Sequence, residues 1–533
     1  MSAVFEQAVG DALVGSGVDV VFGLMGTGNL SFISRLISRG VKYVPCRHES
    51  GVLAMAYAWA KVTGRVGVCT VTRGPGLTNA ITGLVEARKG KVPLLLMVGK
   101  PADPAHPQYL EQRELIEGVN VTYCNLGAVN TNEEVERALQ YVRLAGVPIV
   151  IELGERTADS AIVPSLPDAL RTVPDDENIA AATSMLQMAR RPVILAGRGA
   201  VESGARKKLE ALADLSGALL TSSAMANGMF SGHPSYVGVC GGFSTPTTKN
   251  ALRETDLVIA FGASLNQWTM GQGTLFRPSA RFIQCDSAQD AFGKYRPVDV
   301  RLLGDANEVA DLLIEGCMTE RPTIKARQIV EPESAVDPTS VADGPTGLDP
   351  DLLCRVLAQI LPPKLTVSVD SGHFFGFAVR HIRPDDGKYF VFSQAFLSLG
   401  LGIASGIGAS IARPGVIAVS VLGDGGTLMS LGELETAVRL KLPLLLVILN
   451  DAAYGAEVRQ LQALELPVEA AQFDDIDFAS VAESLGAQGC SLRHYTDLGA
   501  VREWLKCPSG PFVLDCKVDP DVTGDWFDKT HAG

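Results

Sequence analysis

The sequence lacks the features that mark secreted and membrane-spanning proteins. Its ten cysteines are scattered over 533 residues without a C-x-x-C pair, so we expect reduced thiols rather than a disulfide framework. No basic segment followed by an apolar run opens the chain, and we expect no secretory signal. No apolar stretch approaches the roughly 20 residues that cross a membrane; LPLLLVIL at 442–449 predicts a buried strand. We therefore expect a cytoplasmic protein without a membrane partner.

An excess of positive charge is also missing. The chain has 46 Lys and Arg residues against 59 Asp and Glu residues, a formal net charge of −13. This balance argues against a general nucleic-acid binder and says little about a small substrate. The composition, 47% hydrophobic and 20% charged, is that of a globular protein, and the length predicts two to four domains.

Glycine is abundant, at 55 residues, and it punctuates a repeated pattern of strand, Gly-rich turn and helix. DVVFGLMG, RPVILAGRG and VIAVSVLGDGG are examples from the three thirds of the chain. Continuous apolar strands between helices predict parallel sheets that are covered on both faces. Two aperiodic, Pro-rich segments, 162–178 and 330–350, are predicted linkers. They divide the chain into three predicted domains, 1–165, 175–328 and 345–533.

One segment indicates a specific ligand. LGDGGTLMSLGELETAVRLKLPLLLVILNDAAYG, at 422–455, predicts a strand, a GDG turn, a helix and a strand ending in ND. A GDG turn lets backbone N–H groups approach a diphosphate closely. Asp424 in that turn and Asp451 after the next strand, with a backbone carbonyl and two phosphate oxygens, would make an octahedral Mg²⁺ site. The alternative is that both are solvated loop acids.

The same segment resembles the thiamine diphosphate signature, in which a GDG turn is followed by an Asn pair. RHESGVLAMAYAWAKVTGRVGVCTVTRGPGLTNAITGLVEA resembles the pyrimidine-binding domain of the acetolactate synthase, benzoylformate decarboxylase and benzaldehyde lyase superfamily. The resemblance implies three doubly wound parallel-sheet domains of the α/β class. In chain order these are the pyrimidine-binding domain (1–165), the middle domain (175–328) and the diphosphate-binding domain (345–533).

The resemblance also implies a partner for Glu49, an acid at the start of a small-residue helix. In this family the matching acid hydrogen-bonds N1′ of the aminopyrimidine and promotes the imino tautomer, which removes the C2 proton of the thiazolium. The cofactor then serves as the electron sink. Without the family, an acid on the dipole of a helix N-terminus would be a reasonable interpretation of Glu49.

Further cofactor contacts transfer residue by residue from the resemblance. Leu399 matches the bulky apolar residue that wedges the cofactor into its V shape, and the carbonyl of Leu397 should meet the 4′-amino group. His373 in DSGHFF is expected near the diphosphate, although a lone histidine without a ligand is about as common. The remaining cofactor-binding positions are Gly74, Pro75, Gly76, Asn79, Gly423, Gly425, Gly426, Thr427 and Tyr454.

Three departures from the family pattern affect the expectations. Asp451 stands where the family usually has a second Asn as a metal ligand, a change that suits Mg²⁺; the carbonyl of Ala453 would be the third protein ligand. Arg73 occupies a small-residue position, where it could hold a substrate carboxylate or pair with a surface acid. GASLNQW, at 262–268, replaces the Arg-bearing loop of FAD-dependent acetolactate synthases, so we do not expect FAD.

Catalytic groups besides Glu49 are also implied. Gln108 fits the family's active-site glutamine slightly better than Gln112. Glu457, three residues after Tyr454, resembles the acid that aids protonation in 2-keto acid decarboxylases, although an exposed helix acid paired with an arginine is the alternative. The residues expected to line the substrate space are Thr27, Gly28, Thr72, Arg73 and Glu457.

The function implied is that of a thiamine diphosphate- and Mg²⁺-dependent decarboxylase or carboligase of 2-keto acids, acting through ylid addition and an enamine. The enamine is either protonated to an aldehyde or joined to a second carbonyl. An acyloin or acyl-CoA lyase without decarboxylation and a non-catalytic cofactor-binding homologue stay open. The family's cofactor lies between two subunits, so a homodimer or homotetramer is expected.

Overall fold

Three parallel sheets, each of six strands, form the framework of the described chain. The computed structural model describes residues 2–101, 103–127, 129–154, 162–167, 173–319, 330, 334–341, 344 and 346–526. Helices lie between the strands of every sheet, so the predicted α/β class with doubly wound parallel sheets is confirmed. The domain boundaries stay predictions, and both predicted linkers lie partly outside the described residues.

The first sheet has the strand order β2-β1-β3-β4-β6-β5. Its strands are β1 (Val20–Gly23), β2 (Lys42–Pro45), β3 (Gly67–Val71), β4 (Leu94–Val98), β5 (Thr122–Asn125) and β6 (Ile149–Glu152). Its helices are α1 (Ser2–Gly15), α2 (Leu30–Ser38), α3 (Glu49–Thr63), α4 (Pro75–Gly90), α5 (Gln112–Gly118) and α6 (Thr131–Ala145). Every residue of β3 and β4 is buried, as expected for strands covered on both faces.

The second sheet has the order β12-β11-β10-β7-β8-β9. Its strands are β7 (Pro192–Ala196), β8 (Leu219–Ser222), β9 (Tyr236–Val239), β10 (Leu257–Phe261), β11 (Arg281–Asp286) and β12 (Val300–Leu303). Its helices are α7 (Asp176–Met188), α8 (Arg198–Glu202), α9 (Arg206–Ser216), α10 (Pro246–Arg253) and α11 (Ala306–Thr319). Short 3₁₀ turns lie at Ala224–Ala226 and Gln289–Ala291.

The third sheet has the order β14-β13-β15-β16-β18-β17, the same connectivity as the first. Its strands are β13 (Thr366–Val369), β14 (Phe390–Phe392), β15 (Ala418–Gly423), β16 (Leu444–Asn450), β17 (Gln488–Leu492) and β18 (Phe512–Lys517). Its helices are α12 (Pro350–Ile360), α13 (Phe375–His381), α14 (Gly402–Ala412), α15 (Asp424–Ser430), α16 (Gly432–Arg439), α17 (Gly455–Ala463), α18 (Phe478–Ser484) and α19 (Gly499–Lys506). Further 3₁₀ turns lie at Pro338–Ser340, Gly387–Tyr389, Glu469–Ala471 and Tyr495–Leu498.

The connectivity of the sheets locates their ligand-binding edges. In an open parallel sheet, ligands bind beyond the carboxyl ends of the strands, where the winding direction reverses. In the first sheet this point lies between β1 and β3, and in the third between β13 and β15. Thr27 and Thr72 follow the first pair of strands, and Asp370 and Asp424 follow the second. The predicted residues Thr27, Thr72 and Asp424 therefore lie at the edges where folds of this kind bind ligands.

Two small-residue helices join the first and third sheets. In α3, twelve of fifteen residues are buried, and the helix packs against α14 so closely that backbone approaches backbone. A Cβ atom added at Gly408 of α14 would lie 2.2 Å from the carbonyl oxygen of Met55 in α3. Apolar side chains of both sheets, such as Leu96 and Leu446, belong to one continuous core. The first and third sheets therefore form one packed body.

We call each sheet with its helices a unit. The second unit has hydrophobic clusters of its own and contacts the third unit through polar groups and through aromatic rings, with Phe243 against Phe375 and Trp526. The side-chain amide of Asn227 donates hydrogen bonds to the carbonyls of Val379, at 3.0 Å, and Ile382, at 3.2 Å. Across the part of the chain that the structure describes, no helix is long and apolar enough to cross a membrane.

The backbone contact between α3 and α14 gives a stability prediction. Gly408→Ala should destabilise the protein by about 1–3 kcal/mol, because the added methyl group overpacks a contact that has no room. Gly499→Ala is the matched control, since a Cβ at that helical glycine meets nothing within 4 Å. Urea unfolding of both variants measures the effect. Equal midpoints for the two variants would show that the helices can separate without cost.

Candidate functional site

The GDG turn and the loop after β16 bring two acids to one end of the third sheet. Asp424 is 2% exposed and accepts hydrogen bonds from the backbone N–H groups of Gly425, at 2.8 Å, and Ala453, at 3.2 Å. The side chain of Asp451 is 4% exposed. Glycine is required in the turn, because a Cβ at Gly425 would lie 2.5 Å from the ring of Tyr454. The turn therefore lies directly against the Tyr454 ring.

Burial disfavours the ionised forms of both acids. Desolvation and then the charge of Asp451 raise the pKa of Asp424 to about 7. Desolvation raises the pKa of Asp451 to about 6. Two carboxylates that resist ionisation in this way gain from a divalent cation between them, since a bound cation favours the charged forms. Burial and the positive charge of Arg459 lower the pKa of His373 to about 3, so the neutral imidazole lies 3.6 Å from the Asp451 carboxylate.

Asp370, which the sequence interpretation missed, organises the neighbouring loop. It is fully buried, and its carboxylate accepts hydrogen bonds from the N–H groups of Ser371, Gly400 and Leu401 at 2.9 to 3.3 Å. Desolvation raises its pKa to about 6 despite these bonds. A Cβ at Gly426 would lie 2.7 Å from the same carboxylate. Asp370 thus holds the loop before α14 against the GDG turn.

Two loop residues without the freedom of glycine adopt left-handed backbone conformations. Leu397 has φ 57° and Ala452 has φ 54°. Conformations of this kind cost about 1–3 kcal/mol each and persist where the surroundings fix them. Asn450 fixes one of them, since its side-chain oxygen accepts the N–H of Ala452 at 3.2 Å. The loops that carry the predicted carbonyls of Leu397 and Ala453 are therefore held in defined positions.

These loops enclose a cavity of about 210 Å³. Trp268 from the second unit, Ser371 and Trp526 also line it, and no sequence signal indicated these three. Thr427 does not line it; its hydroxyl donates to the carbonyl of Gly423 at 2.7 Å and closes the first turn of α15. The sequence-predicted residues that line the cavity are His373, Leu397, Leu399, Gly423, Asp424, Gly425, Gly426, Asp451, Ala453, Tyr454 and Glu457.

A second group of predicted residues surrounds Glu49 at the edge of the first sheet. Glu49 is the first residue of α3 and is 7% exposed. Its Oε2 accepts a hydrogen bond from Asn79 Nδ2 at 3.1 Å, and a Cβ at Gly76 would lie 3.4 Å from its Oε1. The Thr72 hydroxyl, beside Gly76, accepts the N–H of Gly28 at 3.2 Å. The structure thus brings these predicted residues together.

Gln108 and Gln112 differ in their surroundings. Gln112 is 1% exposed, and its side chain bonds to the Gly99 carbonyl, the Tyr123 hydroxyl and the N–H of Gly74. Gln108 is half-buried, and its Oε1 accepts from Arg73 Nε at 3.2 Å. Gln112 is therefore engaged in supporting the loop, which leaves Gln108 as the candidate for a site role.

Gly74 shapes the same loop. Its φ is +61°, and a Cβ added there would lie 2.4 Å from the carbonyl oxygen of Gln108, so only glycine fits. Pro75 then opens α4, at a position where its missing N–H costs nothing. Arg73 extends from this loop to the Thr27 hydroxyl, at 3.2 Å from Nη2.

The two groups remain separate within one chain. The residues that line the cavity come from the second and third units, and none of them belongs to the Glu49 group. Each chain of the described structure thus presents two half-sites, one with the predicted metal ligands and one with Glu49.

The donor set fits Mg²⁺ and a diphosphate. No group of three or more His, Cys, Asp or Glu side chains among the described residues is placed to hold a metal. Two carboxylates and a carbonyl would leave coordination positions for phosphate oxygens, as is usual for Mg²⁺. The predicted ligands Asp424, Asp451 and Ala453 therefore suit a cation that arrives with a diphosphate.

Comparison with protein families assigns the chain. Models described as thiamine pyrophosphate enzyme domains match three successive parts: the N-terminal TPP binding domain at 4–120, the central domain at 179–313 and the C-terminal TPP binding domain at 370–516. The chain belongs to the thiamine diphosphate-dependent enzymes of acetolactate synthase type. As in other members of this superfamily, it catalyses the formation or cleavage of a C–C bond.

Curated relatives of this thiamine diphosphate enzyme match over nearly their whole length. The acetolactate synthase isozyme 2 large subunit of Escherichia coli (strain K12) is 28% identical, and the alignment covers 96% of this chain and 95% of the relative. The probable acetolactate synthase large subunit of Methanocaldococcus jannaschii is 26% identical, with 96% of this chain and 92% of the relative aligned. The sulfoacetaldehyde acetyltransferase of Alcaligenes xylosoxydans xylosoxydans is also 26% identical, with 93% of this chain and 89% of the relative aligned.

The raised pKa values of Asp424 and Asp451 predict opposite pH effects with and without ligand. Metal binding needs both carboxylates ionised, so Mg²⁺-dependent retention of thiamine diphosphate should weaken as the pH falls from 8 through about 7 and 6. In the ligand-free enzyme, ionisation of Asp424 opposes folding, so the stability that its neutral form provides is lost as the pH rises through about 7.

Asp424→Asn should therefore raise the melting temperature of the ligand-free enzyme more at pH 8 than at pH 5, and it should remove the stabilisation by Mg²⁺ and thiamine diphosphate. Thermal melts of wild type and variant, with and without ligands, measure both effects. Asp521→Asn, at an exposed acid, is the control. Undiminished stabilisation of Asp424→Asn by the ligands would exclude Asp424 as a ligand of the metal.

Proposed function

We propose that this enzyme decarboxylates a 2-keto acid and then either releases an aldehyde or joins the acyl unit to a second carbonyl. Thiamine diphosphate, held with Mg²⁺, supplies the electron sink for the carbanion next to the carbonyl. The observation that carries the proposal is the environment of Arg73, a cation at the edge of the Glu49 half-site.

Arg73 pairs with no acidic side chain among the residues that the structure describes. Its guanidinium bonds instead to the neutral oxygens of Gln108 and Thr27, both at 3.2 Å. Pairing with a surface acid, the alternative use of this arginine, thus has no support from its neighbours. A half-buried guanidinium with neutral partners is free to bind a carboxylate by charge-assisted hydrogen bonds. A substrate that carries a carboxylate next to its carbonyl matches this group.

Glu49 is proposed as the acid that shares a proton with N1′ of the aminopyrimidine. Asn79 donates to one carboxylate oxygen, which leaves the other, beside Gly76, to accept from a ligand. Glycine is required at position 76 because a Cβ there would lie 2.8 Å from Thr72 Cγ2. Proton transfer at a positioned carboxyl contributes about 10²–10⁴-fold to a rate.

A homodimer or homotetramer is the proposed assembly. Within one chain the metal-ligand cavity has no lining residue from the Glu49 half-site, so a second copy is proposed to supply it. Exposed apolar side chains flank the cavity, among them Phe396 (44% exposed), Leu397 (62%) and Met429 (62%). An exposed apolar rim of this kind marks an interaction surface. FAD is not part of the proposed cofactor set.

The test of the proposed function is product analysis by mass spectrometry. The enzyme with Mg²⁺ and thiamine diphosphate is given a panel of 2-keto acids, with and without an aldehyde acceptor. We expect CO₂ with an aldehyde or acyloin from at least one member. Glu49→Gln is the matched control and should keep the cofactor but lose about 10²–10⁴-fold in turnover. Cleavage of an acyloin or acyl-CoA compound, without CO₂ from any keto acid, would contradict the proposal and favour a simple lyase.

Glu457 is the proposed proton donor that decides between aldehyde and acyloin. It lies in the first turn of α17, lines the cavity and forms no ion pair within the described residues. Glu457→Gln should slow protonation more than ligation and lower the aldehyde-to-acyloin ratio, at least about tenfold if it is the main donor. Chiral chromatography of products from the same keto acid measures the ratio. An unchanged ratio would exclude Glu457 as the donor.

A further inference from the structure

A buried carboxylate of the third unit holds the turn that precedes Glu49. Glu433, in α16, is 2% exposed, and its Oε1 accepts the backbone N–H groups of Arg47 and His48, both at 2.9 Å. Its Oε2 accepts the hydroxyl of Thr436 at 2.9 Å. Gly51 allows this approach, since a Cβ there would lie 2.3 Å from Oε1. The start of α3 is thus fixed by a residue 386 positions later in the chain.

A buried carboxylate of the first unit holds a turn of the third in the same manner. Glu86, in α4, is 2% exposed. Its Oε1 accepts the N–H of Ala395 at 3.0 Å, and its Oε2 accepts the N–H of Phe396 at 2.7 Å. These residues immediately precede Leu397, which lines the cavity and whose carbonyl is predicted to meet the 4′-amino group of the cofactor. The bonds join positions about 310 residues apart.

The two contacts occupy equivalent places in the two sheets. In each case the acid lies in the helical segment after the third strand, β3 or β15. In each case the amides lie between the second strand, β2 or β14, and the helix that follows it, α3 or α14. Since these two helices pack against each other, each acid reaches across the same helix pair to the other unit.

We propose that Glu433 and Glu86 are a reciprocal pair of positioning residues: Glu433 sets Glu49 in place through the Arg47 and His48 amides, and Glu86 sets the Leu397 loop through the Ala395 and Phe396 amides. The proposal rests on the proposed function for the role of Glu49 and Leu397, but the contacts themselves are independent of it. Neither acid touches the proposed cofactor site, so both act through the backbone they hold.

The hydrogen-bond pattern predicts a difference between the two acids. Both amides bond to a single oxygen of Glu433, which a glutamine also has, so Glu433→Gln should keep the turn. The amides bond to separate oxygens of Glu86, so Glu86→Gln should place an NH₂ group against one N–H and lose that bond. A merely space-filling role would treat the two substitutions alike.

Hydrogen exchange of the full-length enzyme, resolved to single amides by mass spectrometry, tests this directly. Glu433→Ala should accelerate exchange at Arg47 and His48 at least about tenfold, because buried amides lose their acceptor. Glu433→Gln should stay within about twofold of wild type. Glu86→Ala and Glu86→Gln should both accelerate exchange at Phe396 or Ala395. These readouts need neither cofactor nor substrate.

Glu435→Ala is the matched control for the first site. Glu435 lies on the same helix and pairs with the side chain of Arg47, with Nε to Oε2 at 2.6 Å, at an exposed position. Removing it takes away a contact to the same residue but leaves both amide bonds in place. Exchange at Arg47 and His48 should then remain within about twofold of wild type, as expected for loss of an exposed ion pair.

Binding and turnover separate positioning from general damage. Glu433→Ala should lower kcat on the order of 10²-fold, because Glu49 is displaced, while the Kd for thiamine diphosphate with Mg²⁺ stays within about threefold of wild type. Glu86→Ala should raise that Kd at least about tenfold, because the Leu397 loop loses its support. Calorimetry with the cofactor gives the Kd without turnover.

Three outcomes would overturn the proposal: unchanged exchange in Glu433→Ala, equal effects of Glu433→Ala and Glu435→Ala, or equal exchange effects of the two glutamine variants. If the alanine variants fail to fold, the difference in amide exchange between Glu433→Gln and Glu86→Gln still tests the proposal. If wild type turns over no 2-keto acid, the proposed function fails, whereas the exchange and Kd results still decide the positioning roles.

Discussion

The close packing of α3 against α14 is the contact on which the rest of the described structure depends. Both helices are built from small residues, and Gly408 lets the α14 backbone reach the Met55 carbonyl. This approach merges the cores of the first and third sheets and brings each helix start within reach of an acid from the other unit. A bulkier helix pair would separate the sheets and move Glu433 and Glu86 away from the amides that donate hydrogen bonds to them.

Three buried acids lie at the carboxyl ends of the strands of the third sheet. Asp370, Asp424 and Asp451 are all poorly solvated, and desolvation raises the pKa of each. Asp370 is compensated by backbone N–H groups, so its cost maintains the loop. Asp424 accepts fewer backbone hydrogen bonds than Asp370 and is also affected by the charge of Asp451. A bound cation would relieve this repulsion between the two carboxylates. Similar burial thus maintains a loop at Asp370, whereas at Asp424 and Asp451 we propose that it serves to bind a metal ion.

Much of the architecture could be predicted from the sequence, because the repeated strand, turn and helix pattern specifies parallel sheets and the GDG segment specifies a tight turn from β15 into a helix. The family followed from local motifs in the same way. The positions of Glu433 and Glu86 could not be predicted, since their partners lie more than 300 residues away. Spacing favoured Gln108 over Gln112 only slightly, and the burial and hydrogen bonds of Gln112 separate the two glutamines further. Asp370 could have been found by asking which acid follows the strand beside the GDG strand.

The long separation of α3 and α14 also affects how the protein is made. The face of α3 that packs against α14 stays uncovered until α14 leaves the ribosome, roughly 340 residues later, or about 20 to 70 s at ordinary rates of synthesis. During that interval the apolar surface of α3 is exposed to other chains. The enzyme should therefore depend on chaperones during synthesis more than its compact final structure indicates, and fragments that end before α14 should aggregate.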